Sequence, residues 1–319
     1  MSTAGHAVWQ VSGGPAARSY ADVFLNYGVA LIGPGDAGPW KRERDDSDFN
    51  GGFVRRFAED VMPGDIVLLR TGMATIAAVG LVAGEYFYLN AFDDVNGWDL
   101  QHARRVRWCR LPAEHTFDSA AFGANPPRCS HVWNEEVVDF AVRFLNSPPT
   151  NWQTAALPEL PAEEPALGRV PEALAGLVAE AADLLPLMQD EQAFGELPSE
   201  DELIVHFVVP FLRALGWAPE RIAVKWRYID VAVFRTLPRA PGNCQFVIEA
   251  KRLGAGVEGA LEQARGYVET LGMPCDVIVT DGIRYRIYDA KRAFKPMAYA
   301  NLTRLKQSAA DLFARMQRP

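Results

Sequence analysis

Residues 146–170, NSPPTNWQTAALPELPAEEPALGRV, are rich in Pro, Ala and Glu and read as an extended linker that no helix or central strand can cross. A chain interrupted there folds as two units, each with its own core, and 319 residues are enough for both. The hydrophobic pattern changes across the interruption, so the two units are expected to differ in class.

Before it, VWQVSGG, GVALIG, DIVLLRTG, TIAAVGLVAGEYFYL and RRVRWCRL are short apolar runs punctuated by Gly, Pro, Asn and Asp. They predict the strands of a small barrel or strongly curled sheet over residues 1–146. Helical patterning is confined to stretches such as FVRRFAEDV and EEVVDFAVRFL. Residues 147–198 carry the linker and then PEALAGLVAEAADLLPLM, whose periodicity and leading Pro171 predict a connecting helix.

Residues 199–319 mix both periods. In SEDELIVHFVVPFLRALGW, Leu203, Phe207, Phe211 and Leu215 recur every four residues on one helical face, and Gly216 ends it. Strands are expected at 222–235 and 245–250, a helix at about 257–271, strands in CDVIVTDG and RYRIYD, and an amphipathic helix at 301–316. The order α-β-β-α-β-β-α predicts a mixed sheet flanked by helices.

Two of those strands carry charge where burial is expected. Asp230 lies inside YIDVAVF, and Glu249 and Lys251 close FVIEAKRL. Burying a carboxylate without a partner is costly, so three such charges at neighbouring strand ends suggest a site with its own counter-charge. Alternation along a strand points Glu249 and Lys251 the same way and Ala250 the other. If the 222–235 run lies alongside, Asp230 reaches the same end. Asp230, Glu249 and the Ala250 carbonyl then offer hard oxygen ligands for Mg²⁺, which polarises a phosphate and lowers the pKa of bound water. Lys251 would orient that water and steady developing charge. A solvated ion pair at a sheet edge is the plainer reading of the same residues.

Asp230, then 18 residues, then Glu249-Ala250-Lys251 resembles the PD-(D/E)xK nuclease motif. The ordered set PFLRALGW, IDVAVF, IEAKRL, EQARGYV and VTDGIRYRIYD, about residues 199–290, resembles the N-terminal nuclease domain of type I restriction enzyme R subunits. The resemblance implies a C-terminal PD-(D/E)xK α/β nuclease domain, an acidic residue on the first helix and a Gln-x-x-x-Tyr pair on the second. Gln263 and Tyr267 match that pair and share a helix face. On the first helix Glu202 fits a capping box with Ser199, which leaves Glu200, ten residues before Pro210, for the functional role. Glu200 is equally a favourable charge at a helix N-terminus.

In the first unit VWQVSGG, Gly64-Asp65-Ile66-Val67 followed by AAVG, and GWDLQHARRVRW resemble PUA-like domains of the EVE group over about residues 7–112. The resemblance implies a PUA-like small β-barrel with an aromatic pocket for one modified base. Such domains occur fused to nucleases that cut modified DNA, so the whole chain resembles a modification-dependent restriction endonuclease. Trp9 and Trp98 are the expected cage walls, with Ser12 and Asp99 as polar contacts to the base edge. Trp40, Tyr86 and Trp108 are further rings that serve equally well as core. Stacking a flipped base on an aromatic face gains ~1–3 kcal/mol, whereas burying one methyl gains only ~0.8 kcal/mol. A single pocket therefore restricts cutting to methylated DNA only if it also rejects unmodified bases, or if two readers engage in a homodimer. RRVRWCR and PWKRER are candidate phosphate contacts.

The net charge of −8 argues against a general nucleic-acid binder, yet it is uneven. Residues 151–199 hold one basic and nine acidic residues, while residues 200–319 hold 18 basic and 13 acidic, the sign that suits a phosphate backbone. No run approaches ~18 apolar residues, so no membrane segment is expected. MSTAGHAVWQVSGG lacks the basic and apolar regions of a signal peptide, and Cys109, Cys129, Cys244 and Cys275 have no metal spacing, which together predict a cytoplasmic protein with free thiols. No GxxxxGK[ST] run accompanies the nuclease-like segment. Two further readings stand beside the endonuclease: a catalytically silent nucleic-acid-binding or sensor module, and a nuclease effector controlled by a modified RNA or nucleotide.

Overall fold

Strand alternation and helical periodicity resolve into two sheets, one in each of two compact units, residues 1–163 and 164–319. The computed structural model describes residues 7–42, 52–118, 121–147 and 156–319. Arg44 of PWKRER and part of the linker lie outside the described residues.

The first unit runs β1 (Val8–Ser12), α1 (Ala21–Tyr27), β2 (Val29–Ile32), α2 (Phe53–Arg55), β3 (Ile66–Arg70), β4 (Thr75–Tyr88), β5 (His102–Thr116), β6 (Cys129–His131) and α3 (Glu135–Asn146). The sheet order is β2-β5-β4-β3-β1-β6, with β1 parallel to β3 and the other neighbours antiparallel. The long β4–β5 pair shifts register between Ile76 and Ala78 and again between Val82 and Tyr86. Such bulges bend strands, and β1 comes to touch β2, four places away in the order, so the sheet curls into a half-barrel. Alternation sends Val8, Ile66 and Leu68 into one core under α3, and Val11, Val67 and Leu69 into the other.

Asp65, from the Gly64-Asp65-Ile66-Val67 run, clasps this unit. Its Oδ1 accepts from the Ala7 N–H at 3.1 Å, and its Oδ2 from Trp9 Nε1 and the Met62 N–H, each at 2.9 Å. Three donors converge on one buried carboxylate, so Asp65→Ala is expected to cost about 3 kcal/mol of stability. Urea unfolding of the full chain checks this, and an unchanged first-unit midpoint would refute it.

The second unit runs α4 (Glu172–Met188), α5 (Glu191–Phe194), α6 (Glu200–Leu203), α7 (Val209–Ala214), β7 (Ile222–Trp226), β8 (Ile229–Phe234), β9 (Cys244–Ala250), α8 (Ala260–Thr270), β10 (Asp276–Thr280), β11 (Arg284–Asp289), β12 (Lys295–Asn301) and α9 (Ala309–Met316). A π turn at Ile204–Val208 joins α6 to α7, where Pro210 has no N–H to offer the His206 carbonyl. Leu203, Phe207, Phe211 and Leu215 are all buried, as their spacing predicts. The sheet order is β12-β11-β10-β9-β8-β7; β9 and β10 are parallel and joined through α8, and the rest are antiparallel.

Three expectations are corrected. The 222–235 run is a hairpin, not one strand, turning at Arg227 and Tyr228 with φ of 51° and 71°. Neither residue is the Gly or Asn that normally marks such a turn. An edge strand, β12, follows RYRIYD, and the last helix begins only at Ala309. The helix after Pro171 does not merely connect: Leu174, Leu177 and Ala181 enter the same core as Phe211 and Leu312.

On β9, Phe246, Ile248 and Ala250 face that core, while Val247 faces a second core beneath α8. Glu249 and Lys251 therefore fall on the α8 face. The turn after β10 needs Gly282, which has φ +86° and would carry a Cβ only 3.1 Å from the Phe207 ring. All four cysteines are buried and free. Among the described residues, no helix is long and apolar enough to cross a membrane.

Candidate active site

β8 and β9 pair with Val231 opposite Ile248, so the next rung sets Asp230 opposite Glu249. Asp230 Oδ2 accepts from the Ala250 N–H at 2.8 Å, and Oδ1 accepts from Lys225 Nζ at 2.8 Å. Lys251 Nζ donates to Glu249 Oε1 at 3.0 Å and to Gln263 Oε1 at 3.2 Å. Gln263 Nε2 in turn donates to the Tyr267 hydroxyl at 3.0 Å. Side chains from β8, β9 and α8 thus meet at one end of the sheet. The four-residue spacing of Gln263 and Tyr267 puts both on the helix face that reaches Lys251.

Electrostatics at this end is uneven. Asp230 is 6% exposed and Glu249 2%. Burial, reinforced by the neighbouring Asp230 charge, pushes the Glu249 carboxyl up to about 7, although the Lys251 bond pulls it down. Glu200, half-buried in the first turn of α6, adds a smaller upward push. Glu249 Oε2 is buried with no hydrogen-bond partner. Two adjacent carboxylates, one with an orphaned oxygen, suit a small cation. Among the described residues no three His, Cys, Asp or Glu side chains cluster as a metal group. The oxygens expected to meet a metal are those of Asp230, Glu249 and the Ala250 carbonyl, and both Asp230 oxygens already accept hydrogen bonds. Mg²⁺ commonly takes one or two carboxylates and completes its shell with water and phosphate oxygens, so this donor set fits it.

The first helix divides its acids. Glu202 is spent on the capping box: its Oε2 accepts from the Ser199 N–H at 2.7 Å, and its own N–H donates to Ser199 Oγ at 3.2 Å. That backbone bond holds its carboxyl below the usual range. Asp201 takes a contact that sequence reasoning missed, accepting from Lys225 Nζ at 2.9 Å. Lys225 was itself hidden because 222–235 read as a single strand. Once the hairpin is drawn, Lys225 lies across from Asp230, which is the signal that would have found it.

In the first unit the four expected pocket residues differ in burial and in partners. Trp9 is 5% exposed, its N–H satisfied by Asp65 and its ring set edge-on to His131 at 5.2 Å. It serves the core, so the cage wall expected there is not presented at the surface. Asp99 is buried, with its carbonyl packed against Gly33 so closely that no Cβ fits there. Ser12 is half-buried and its Oγ accepts from the Gly14 N–H at 3.2 Å. Trp98 is half-buried with the Arg18 guanidinium 4.1 Å from its ring centre and that of Arg128 at 5.6 Å. Trp40, Tyr86 and Trp108 are tied into the fold through Glu59, His102 and the Val29 carbonyl. The RRVRWCR arginines are engaged in part within the unit, and Arg110 is exposed. Arg104 is buried against the Phe57 and Ala58 carbonyls, Arg105 donates to the Pro158 carbonyl, and Arg110 pairs with Asp22.

Fold and site together define a mixed α/β protein with a paired-carboxylate and lysine centre in its second unit. A family model described as a domain of unknown function, DUF8426, matches residues 9–125, within the first unit. No curated protein matches the chain. Among solved structures, a fragment assigned as an HsdR subunit of a type I restriction enzyme from Vibrio vulnificus YJ016 is similar at 21% identity, with a TM-score of 0.26. The match covers 37% of this chain and 25% of that one, so the chain spans about a quarter of that structure's length. At that score no geometry is transferred.

Proposed function

We propose that the second unit is a metal-dependent phosphodiester hydrolase of the PD-(D/E)xK kind, and that the first is a PUA-like reader that directs it to DNA bearing modified cytosine. The observation that carries the reading is the shared face of Asp230, Glu249 and Lys251, with Glu249 Oε2 buried and unbonded. Asp230, Glu249 and the Ala250 carbonyl would hold Mg²⁺, which when bound polarises the scissile phosphate and acidifies its water. Lys251 orients the attacking water and steadies the charge that develops on phosphate. Gln263 fixes the Lys251 amine, and Tyr267 fixes Gln263. Glu200 supplies further negative charge beside the carboxylates. One such centre per chain calls for a homodimer if both strands are cut.

Base reading falls to Trp98 and Ser12, with Arg18 and Arg128 near enough to hold the backbone of a flipped nucleotide. The test is Mg²⁺-dependent cleavage of matched DNAs carrying cytosine, 5-methylcytosine, 5-hydroxymethylcytosine or glucosylated cytosine. Lys251→Ala is expected to lower cleavage by about 10²–10⁴-fold, and full activity in that variant would remove the assignment. Trp98→Ala is expected to erase the preference among the four DNAs. Equal cutting of all four by the wild type would discard the reader and keep the nuclease.

A second reading has an observation in its favour. Both Asp230 oxygens are occupied, by the Ala250 N–H and by Lys225, as expected of a nuclease fold that binds DNA and no longer cuts it.

A further inference from the structure

Lys225 carries an observation that the proposed hydrolysis does not use. It stands in the rung between the Val224–Val231 and Trp226–Ile229 pairs, directly across from Asp230. Its Nζ lies 2.8 Å from Asp230 Oδ1 and 2.9 Å from Asp201 Oδ1, so one ammonium spans two acids. The acids differ in setting: the Asp230 side chain is 8% exposed and that of Asp201 is 71%. Lys225 also adopts φ of 51°, a left-handed backbone that a lysine in a strand takes only when its surroundings hold it there.

The oxygen that Lys225 occupies is the one a metal ion would need. Asp230 Oδ2 already accepts the Ala250 N–H, which leaves Oδ1 as its outward donor. An ammonium and a divalent cation cannot share that oxygen without strong repulsion. Asp201 offers the ammonium a second anchor, closer to solvent and already in contact, so Lys225 can release Asp230 and still keep one ion pair.

We infer that Lys225 is a placeholder cation, seated on Asp230 in the metal-free site and retiring onto Asp201 when a divalent ion takes Asp230. The inference rests on the metal-dependent reading of this site. It deepens that reading by making metal entry an exchange of cations, not the filling of a vacant pair of acids. The ammonium neutralises the Asp230–Glu249 pair when no ion is bound, and Asp201 sets how readily it leaves.

The test is calorimetric titration of Ca²⁺ and Mn²⁺ into the full chain as wild type, Lys225→Met, Asp201→Asn and Glu249→Gln. Removing one partly exposed like charge from a cation site should tighten binding about tenfold in Lys225→Met. The Asp201 side chain is 71% exposed, and Asp201→Asn should weaken binding at least about threefold by leaving Lys225 only one berth. Unchanged or weaker binding in Lys225→Met, with binding still lost in Glu249→Gln, would overturn the placeholder alone. Binding to Lys225→Met but not to the wild type would overturn the retreat and make Lys225 a fixed replacement for the metal. Binding to none of the four would overturn the metal reading and this inference with it.

Discussion

Glu249→Gln is expected to abolish cleavage, by about 10³-fold or more, and at the same time to make the metal-free protein more stable at pH 8. The two effects have one cause. In the wild type, burial and the Asp230 charge raise Glu249 from an ordinary 4.5 to about 7. Between those values the folded state holds a proton that the unfolded chain has released, so stability falls as pH rises from about 4.5 to about 7 and is level beyond. At 1.36 kcal/mol per unit the full penalty on the ionised form is about 3 kcal/mol. Glutamine never ionises and keeps an acceptor for Lys251, but it buries an amide N–H₂ in place of the orphaned oxygen. A net gain of about 1–3 kcal/mol at pH 8, vanishing near pH 4, is the expected result. Hydrogen exchange at the β8 and β9 amides, in chelator and across that pH range, reads the effect locally. Equal protection of variant and wild type at pH 8 would mean that Glu249 is not a strained carboxylate. Added Ca²⁺ should reverse the order, stabilising the wild type and leaving the variant unchanged.

Much of this site was legible because strand parity is a strict rule. Glu249 and Lys251 are two residues apart, and β9 sends both to the α8 face; Gln263 and Tyr267 are four apart, and α8 sets Gln263 against Lys251 and Tyr267 against Gln263. The capping box was legible for the same reason, since Ser199 and Glu202 stand at the spacing that closes it. Lys225 and Asp201 were not, because their meeting depends on a turn that Arg227 and Tyr228 make without Gly or Asn. The edge strand β12 was hidden by Pro296, which a sheet tolerates only where an N–H is not required. In the first unit the aromatic count misled at Trp9, whose indole is consumed by Asp65, a partner 56 residues away. Which rings are core and which face solvent is decided by such long-range contacts, and composition does not encode them.

The largest stability effect is expected behind the site, at Glu258 and Arg286. Glu258 leads into α8, and Arg286 sits in β11; the Arg286 Nη1 to Glu258 Oε1 distance is 3.5 Å, with both side chains 1% exposed. The guanidinium also lies 4.7 Å from the Tyr299 ring centre, on the edge strand. This pair therefore ties the start of the helix carrying Gln263 and Tyr267 to the far half of the sheet. Removing one partner breaks a buried ion pair, so Glu258→Leu and Arg286→Met should each cost about 3–5 kcal/mol. That is a large share of the ~5–15 kcal/mol that holds a domain folded. The double variant should cost less than the two single costs added, because the two side chains share one contact. Urea unfolding of the four proteins closes the cycle. Costs that add in the double variant would show two independent packing contributions, and single costs below about 1 kcal/mol would show that solvent reaches the pair. In the single variants, cleavage should fall in step with the folded fraction. A steeper fall in Glu258→Leu would mean that the pair also sets where α8 holds Gln263 against Lys251.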